Sequence, residues 1–243
     1  EFPFLLADLG TNGEFVLAVD AGRAFIASVP LGPSLEGIGL SYGGVADAGS
    51  VSGFRLGPSG LSPVVIGNTE PKRICGTGYL SLLAALLRTG FLDATGRLAS
   101  ASVSPLAARL LGTVERGAAG WSLPLPGGME LAGADVEEIL KVKAAFSLAL
   151  ERLLAASGLE SRALARVCLG GALGEHMPET ALERLGFLPQ GLQGNTSLCG
   201  AALLLAHPEL RERLARWSAG CMLVDLAARP DFTALYMRHM VFG

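Results

Sequence analysis

The segment from Phe4 to Val29 constrains the fold most. Phe4–Leu9 is an unbroken apolar run, closed by Gly10-Thr11-Asn12-Gly13. Phe15–Val19 and Ala24–Val29 follow, with Asp20-Ala21-Gly22 between them. Apolar runs this short, separated by glycine turns, read as strands joined by hairpins. In the later chain helical and strand-like segments alternate, which makes the class α/β.

Composition supports a packed core. The chain has 243 residues, 50% of them hydrophobic and 17% charged, which excludes disorder. The most apolar stretches, Ile74–Leu87 and Ser197–Ala206, fall short of the roughly 18–20 residues a spanning helix needs. No basic region precedes the first apolar run, so neither a signal peptide nor a membrane span is expected. Net charge is −3, lysine occurs only at Lys72, Lys141 and Lys143, and no basic run exists; a nucleic-acid surface is not expected. Cys75, Cys168, Cys199 and Cys221 form no C-x-x-C pair, and the histidines are scattered. They read as reduced, mostly buried thiols of a cytoplasmic protein. The chain opens Glu1-Phe2-Pro3 without methionine and reads as a piece of something longer.

Beyond the meander, residues 30–70 and 91–134 read as loop-rich, with short strands at Phe54–Leu56 and Val64–Ile66 and a short helix at Pro105–Leu111. Residues 77–90 form a helix ending at Gly90. A long helix starts at Asp135, which with Glu138 makes a capping-box pattern, and stops at Gly158. Arg166–Leu169 is a buried strand broken by Gly170-Gly171. Helices follow at 178–185, 195–206, 208–218 and 230–239, with a strand at Met222–Leu226.

Several stretches bear on chemistry. In Asp8-Leu9-Gly10-Thr11-Asn12-Gly13 a strand ends in a carboxylate and a glycine turn. Backbone amides can approach an anion there, Thr11 adds a donor, and Asp8 can hold Mg²⁺ directly or through water. An ordinary hairpin with a capping aspartate fits as well. Gly170-Gly171 permits a ligand to touch backbone, or is simply a tight turn. Lys143 and Ser147 share one helix face. Cys75-Gly76-Thr77-Gly78 opens a helix, whose N-terminus is a place for an anion or merely the start of a helix. The small-residue run 194–202 allows close packing. No nucleophile–base arrangement is present, which favours nucleotide binding.

The order of these motifs is similar to one half of the actin, sugar-kinase and chaperone ATPases, the ASKHA superfamily. More narrowly, Leu5–Leu17, Leu31–Gly44, Ile74–Leu87 and Arg166–Gly174, with 194–202 and Phe232–Phe242, resemble the C-terminal domain of RACo-type proteins, ATP-dependent reductive activators of corrinoid proteins. The resemblance covers essentially the whole chain. It implies a ribonuclease H-like domain: a five-stranded mixed sheet with helices on both faces and a loop-rich insertion. Asp8 would serve catalysis and hold Mg²⁺ through water. Gly10, Thr11, Asn12 and Gly13 would form the second phosphate loop, and Gly170 and Gly171 the adenosine motif. Lys143 and Ser147 would flank adenine and ribose. ATP or ADP with Mg²⁺ would be the cofactor, and an iron–sulfur cluster is expected only in the missing N-terminal region. The implied partners are the upstream half of the same protein, a corrinoid protein or corrinoid methyltransferase, and a second copy in a homodimer. The chain alone is expected to be inactive. A degenerate half serving dimerisation or docking, or an activator of another redox enzyme, is the alternative. Tyr42 stands where the family often has cysteine, and the few lysines leave no strong phosphate-binding cation.

Overall fold

The computed structural model describes residues 1–57, 60–100, 104–170, 176, 179–187, 192–193, 196–228 and 230–243. The meander forms as the hairpin cues require: β1 (Phe4–Leu9), β2 (Asn12–Ala18) and β3 (Ala24–Pro30) pair antiparallel. Asn12 and Gly13 belong to β2 rather than to the turn, which shortens the turn to Gly10 and Thr11.

The small second sheet contains the hairpin β4 (Ser50–Gly57) and β5 (Gly60–Val65), with β6 (Arg73–Ile74) parallel to β4. Helix α1 spans Gly76–Thr89 and closes on Gly90 in the left-handed conformation (φ 74°). Helix α2 spans Pro105–Leu111, capped by the Ser104 side chain. A third sheet is the meander β7 (Glu115–Gly117), β8 (Gly120–Leu125) and β9 (Met129–Ala132). Residues 30–134 thus carry more regular structure than expected. Their strands mix glycine, proline and serine with half-buried positions, so no clean two-residue period marks them.

Helix α3 spans Gly133–Ser157 and ends on Gly158 (φ 73°). Asp135 is its third residue, not its cap. The Asp135 carboxylate accepts the Ala132 N–H at 3.0 Å and, from a distant loop, the Ser41 N–H at 2.8 Å and hydroxyl at 3.0 Å. The remaining elements are β10 (Arg166–Gly170), α4 (Glu179–Arg184), β11 (Leu192–Gln193), α5 (Thr196–Ala206), α6 (Glu209–Ala219), β12 (Met222–Leu223) and α7 (Phe232–Arg238).

The main sheet is mixed, with order β11-β10-β1-β2-β3-β12. It exceeds the five strands implied by the resemblance through the two-residue β12, which pairs parallel to β3. Alternation decides its faces. Leu5, Ala7 and Leu9 pair with Leu17, Phe15 and Gly13, and this face packs on α3, where Phe15 meets Phe146 edge-on at 5.0 Å. Phe146 in turn meets Phe187 at 5.6 Å. Asp8 and Glu14 pair on the other face.

Helix α7 folds back on α3. The Tyr236 hydroxyl donates to the Lys141 carbonyl at 3.0 Å, and the buried Arg152 pairs with Asp231 at 2.6 Å. Glu151 accepts from Arg238 at 2.6 Å and lies 2.8 Å from His239 Nε2. Among the described residues no helix is long and apolar enough to cross a membrane.

Candidate nucleotide site

The sheet brings two of the sequence motifs together. Asp8 lies opposite Gly170 in the parallel β1–β10 pair, at the C-terminal ends of both strands. Open α/β sheets bind ligands at such ends. A cavity of about 900 Å³ opens there. Asp8, Gly10 and Glu36 line one side; Cys75, Gly76 and Thr77, the start of α1, line another.

The hairpin is held by its own hydrogen bonds. Gly10 N–H donates to the Asn12 carbonyl at 3.0 Å, and the Thr11 carbonyl accepts from Leu31 and Gly32. The Thr11 hydroxyl donates to Glu36 Oε1 at 2.5 Å, which ties the turn to the 3-10 turn Pro33–Glu36. Asn12 is exposed, whereas Gly13 is buried. A Cβ at Gly13 would meet Phe15 at 2.8 Å and Leu31 at 2.9 Å, so this glycine is demanded by packing.

The glycines at the start of α1 have the same origin. A Cβ at Gly76 would overlap the Leu35 carbonyl, and one at Gly78 the Val51 carbonyl. Their absence lets the helix start press against the loop and β4, so the first turn of α1 faces the cavity. Cys75 is buried; its thiol donates to the Val51 carbonyl at 3.4 Å and lies 3.2 Å from the Thr77 hydroxyl.

Lys143 and Ser147 sit elsewhere. Both are buried in α3, on the sheet face opposite the Asp8 side chain, and neither lines the cavity. Lys143 Nζ donates to the His239 carbonyl at 3.4 Å, and burial lowers its pKa. Gly171 lies outside the described residues. Of the thiols, only Cys75 is buried; Cys168 and Cys221 are half-buried and Cys199 is exposed, because α5 leaves much of its surface uncovered. Glu137 and Glu138 are solvated and share Lys141, at 3.8 and 2.7 Å.

The walls define what the cavity can hold. Asp8 and Glu36 supply two carboxylates, and among the described residues no group of three metal-binding side chains forms. Mg²⁺ suits such a site, since it commonly takes one or two carboxylates and completes its shell with water and phosphate oxygens. The first turn of α1 presents orphan N–H groups and the positive end of its dipole to an anion. The walls hold no lysine or arginine among the described residues. Glu36 had no signature in the sequence. Its place follows from the Thr11 contact, which joins residues 25 positions apart.

The family model for the C-terminal domain of RACo, the ASKHA domain, matches residues 3–243. The chain belongs to this family. Among relatives of the RACo C-terminal domain, the corrinoid activation enzyme RamQ of Eubacterium limosum is 26% identical over 254 residues, covering 98% of this chain and 42% of RamQ. The [Co(II) methylated amine-specific corrinoid protein] reductase of Methanosarcina barkeri is 26% identical over 230 residues, covering 84% of this chain and 39% of that protein. A solved structure, the reductive activator for corrinoid, iron–sulfur protein, superposes with a TM-score of 0.83 at 24% identity, covering 100% of this chain and 40% of that one. The ASKHA-type mixed sheet is therefore the family's fold. The chain spans about two-fifths of the length of these relatives.

Proposed function

We propose that this chain is the ATP-binding half of an ATP-dependent reductive activator of a corrinoid protein. The observation that carries the reading is that Asp8, beside Gly170 in the β1–β10 pair, and the start of α1 line one cavity, in a RACo-type ASKHA domain. The names of its relatives support a corrinoid protein as partner.

In this reading Asp8 and Glu36 would hold Mg²⁺, and the first turn of α1 would take a phosphate oxygen. Gly170, the register partner of Asp8, adds no side chain beside it. Bound Mg·ATP would supply a charge cluster that favours one cleft state over another. Among the described residues the walls hold no lysine or arginine, and in this reading the upstream half of the protein would complete the cleft. Lys143 and Ser147 enter only if α3 reaches the base from the far side of the sheet. The reaction served would be one-electron reduction of Co(II) corrinoid to Co(I), and an iron–sulfur cluster outside this chain would supply the electron. This chain orients nucleotide and moves no electron itself.

A second reading has its own observation. Gly10 N–H and the Thr11 hydroxyl, the donors expected for phosphate, are both engaged within the protein. A half-domain retained only for docking or dimerisation would look like this.

Titration of Mg·ATP, followed calorimetrically, separates the two. The titrant goes into the chain and into a longer protein carrying the sequence upstream of it. Saturable binding to the longer protein is expected, lost in Asp8→Ala and weakened about tenfold in Glu36→Gln, the scale of one charge-assisted contact. No heat from the folded longer protein sinks the nucleotide reading and leaves the docking one.

A further inference from the structure

At the opposite end of the sheet lies a second concavity, unrelated to the nucleotide reading. The β2–β3 turn sits beside Phe4, since Phe4 pairs with Ala18. It is therefore a full strand length from Asp8, about 15–20 Å. There α5 and α6 form a helical hairpin, and a groove of about 640 Å³ runs between them and Gly22.

The helix α5 reads TSLCGAALLLA, without a charge. A helix apolar all round is ordinarily enclosed. Here Leu203 is 53% and Leu205 74% exposed, and α6 leaves Leu214 45% exposed. The groove is floored by Leu203, Leu204, Leu210 and Leu214, with Trp217 on its wall. Isolated exposed leucines need no explanation, but a contiguous patch of this kind marks an interaction site.

Charge selects the occupant. Arg213 and Arg216 line the same groove, three residues apart on one face of α6. Among the described residues neither pairs with a carboxylate, whereas Glu209 is taken by His207. A trough between two helices, with a leucine floor and a cationic rim, fits a third helix with an apolar stripe and acidic flanks. We propose that the α5–α6 groove docks an acidic amphipathic helix of a partner protein.

The test uses a fluorescein-labelled helical peptide of about 18 residues, long enough to hold helix when docked. It carries leucines at i, i+3, i+4 and i+7 and glutamates beside them. A second peptide has lysine for every glutamate. Anisotropy reports binding, and Trp217 emission reports its place. Saturable binding of the acidic peptide with a shift of Trp217 emission is expected. The lysine peptide should bind about tenfold or more weakly. Arg213→Glu with Arg216→Glu, both at the surface, should reverse that preference, and a reversed preference also shows that the variant is folded. Absence of saturable binding overturns the proposal. So does equal affinity for both peptides, or binding lost at higher chain concentration because a second copy fills the groove.

Discussion

Asp135 shows how one carboxylate organises this chain. It is 2% exposed and accepts three hydrogen bonds, two of them from Ser41. The next residue, Tyr42, donates its N–H to the Tyr79 hydroxyl at 3.1 Å, and burial holds that phenol well above its usual range. The loop before the small sheet is thereby pinned to α3 and α1 together. Asp135→Ala should strand these buried donors and cost about 2–4 kcal/mol, read as a lower urea midpoint with unchanged slope. Lys143 is the opposite case. Its burial lowers its pKa from 10.5 and its one hydrogen bond is long. The unfolded state therefore binds more protons between the lowered pKa and 10.5, and stability rises with pH through that window. Lys143→Met should stabilise the chain by about 1 kcal/mol near neutrality. The gap should shrink as pH approaches 10.5. A destabilised Lys143→Met would show that the ammonium has a partner that matters more than its desolvation.

Among the elements, α7 depends most on charge. Burial lowers the pKa of His239 below 6.5, against the pull of Glu151. Glu151 is itself held below 4.5, because hydrogen bonds from Arg238 and His239 outweigh its burial. Both shifts have the same sign. As pH falls, the unfolded state takes up protons first, at His239 below its ordinary value and then at Glu151. The docking of α7 should weaken between about pH 7 and pH 4. Hydrogen exchange of α7 amides, corrected for intrinsic rate, should rise over that range. His239→Asn should remove the upper part of the dependence. Lys143 and Arg238 also face this imidazole; their positive charge opposes its protonation and so adds to the effect.

For the whole molecule, two separate concavities predict separate responses. Mg·ATP added to the longer protein should slow exchange in Leu35–Gly44 and Cys75–Tyr79, and leave Leu203–Trp217 unchanged. Protection of α5 and α6 by nucleotide would mean that the two ends of the sheet are coupled. Much of the frame was legible in the chain. β1, α2 and the glycine-ended helices α1 and α3 follow from apolar period and from glycines at helix ends, because these are local signals. The β7–β9 meander was not legible, since its strands are short and β7 is exposed. Asp135 carried a cap signal one turn out of place, because the chain closes the helix start on the backbone of Ala132.

Of the candidate site, the sequence by itself determined the Asp8 hairpin, the Gly170 strand end and the order that placed the chain in its family. Those features are written in neighbouring residues. Only the tertiary structure decided that Asp8 and Gly170 face one another, that Glu36 joins them, and that Lys143 and Ser147 lie across the sheet. Strand pairing and side-chain alternation settle such matters, and both depend on partners far apart in the chain. The same holds for the α5–α6 groove. Leu203 and Leu204 belong to one of the most apolar stretches of the sequence, and only the fold shows that Leu203 stays exposed.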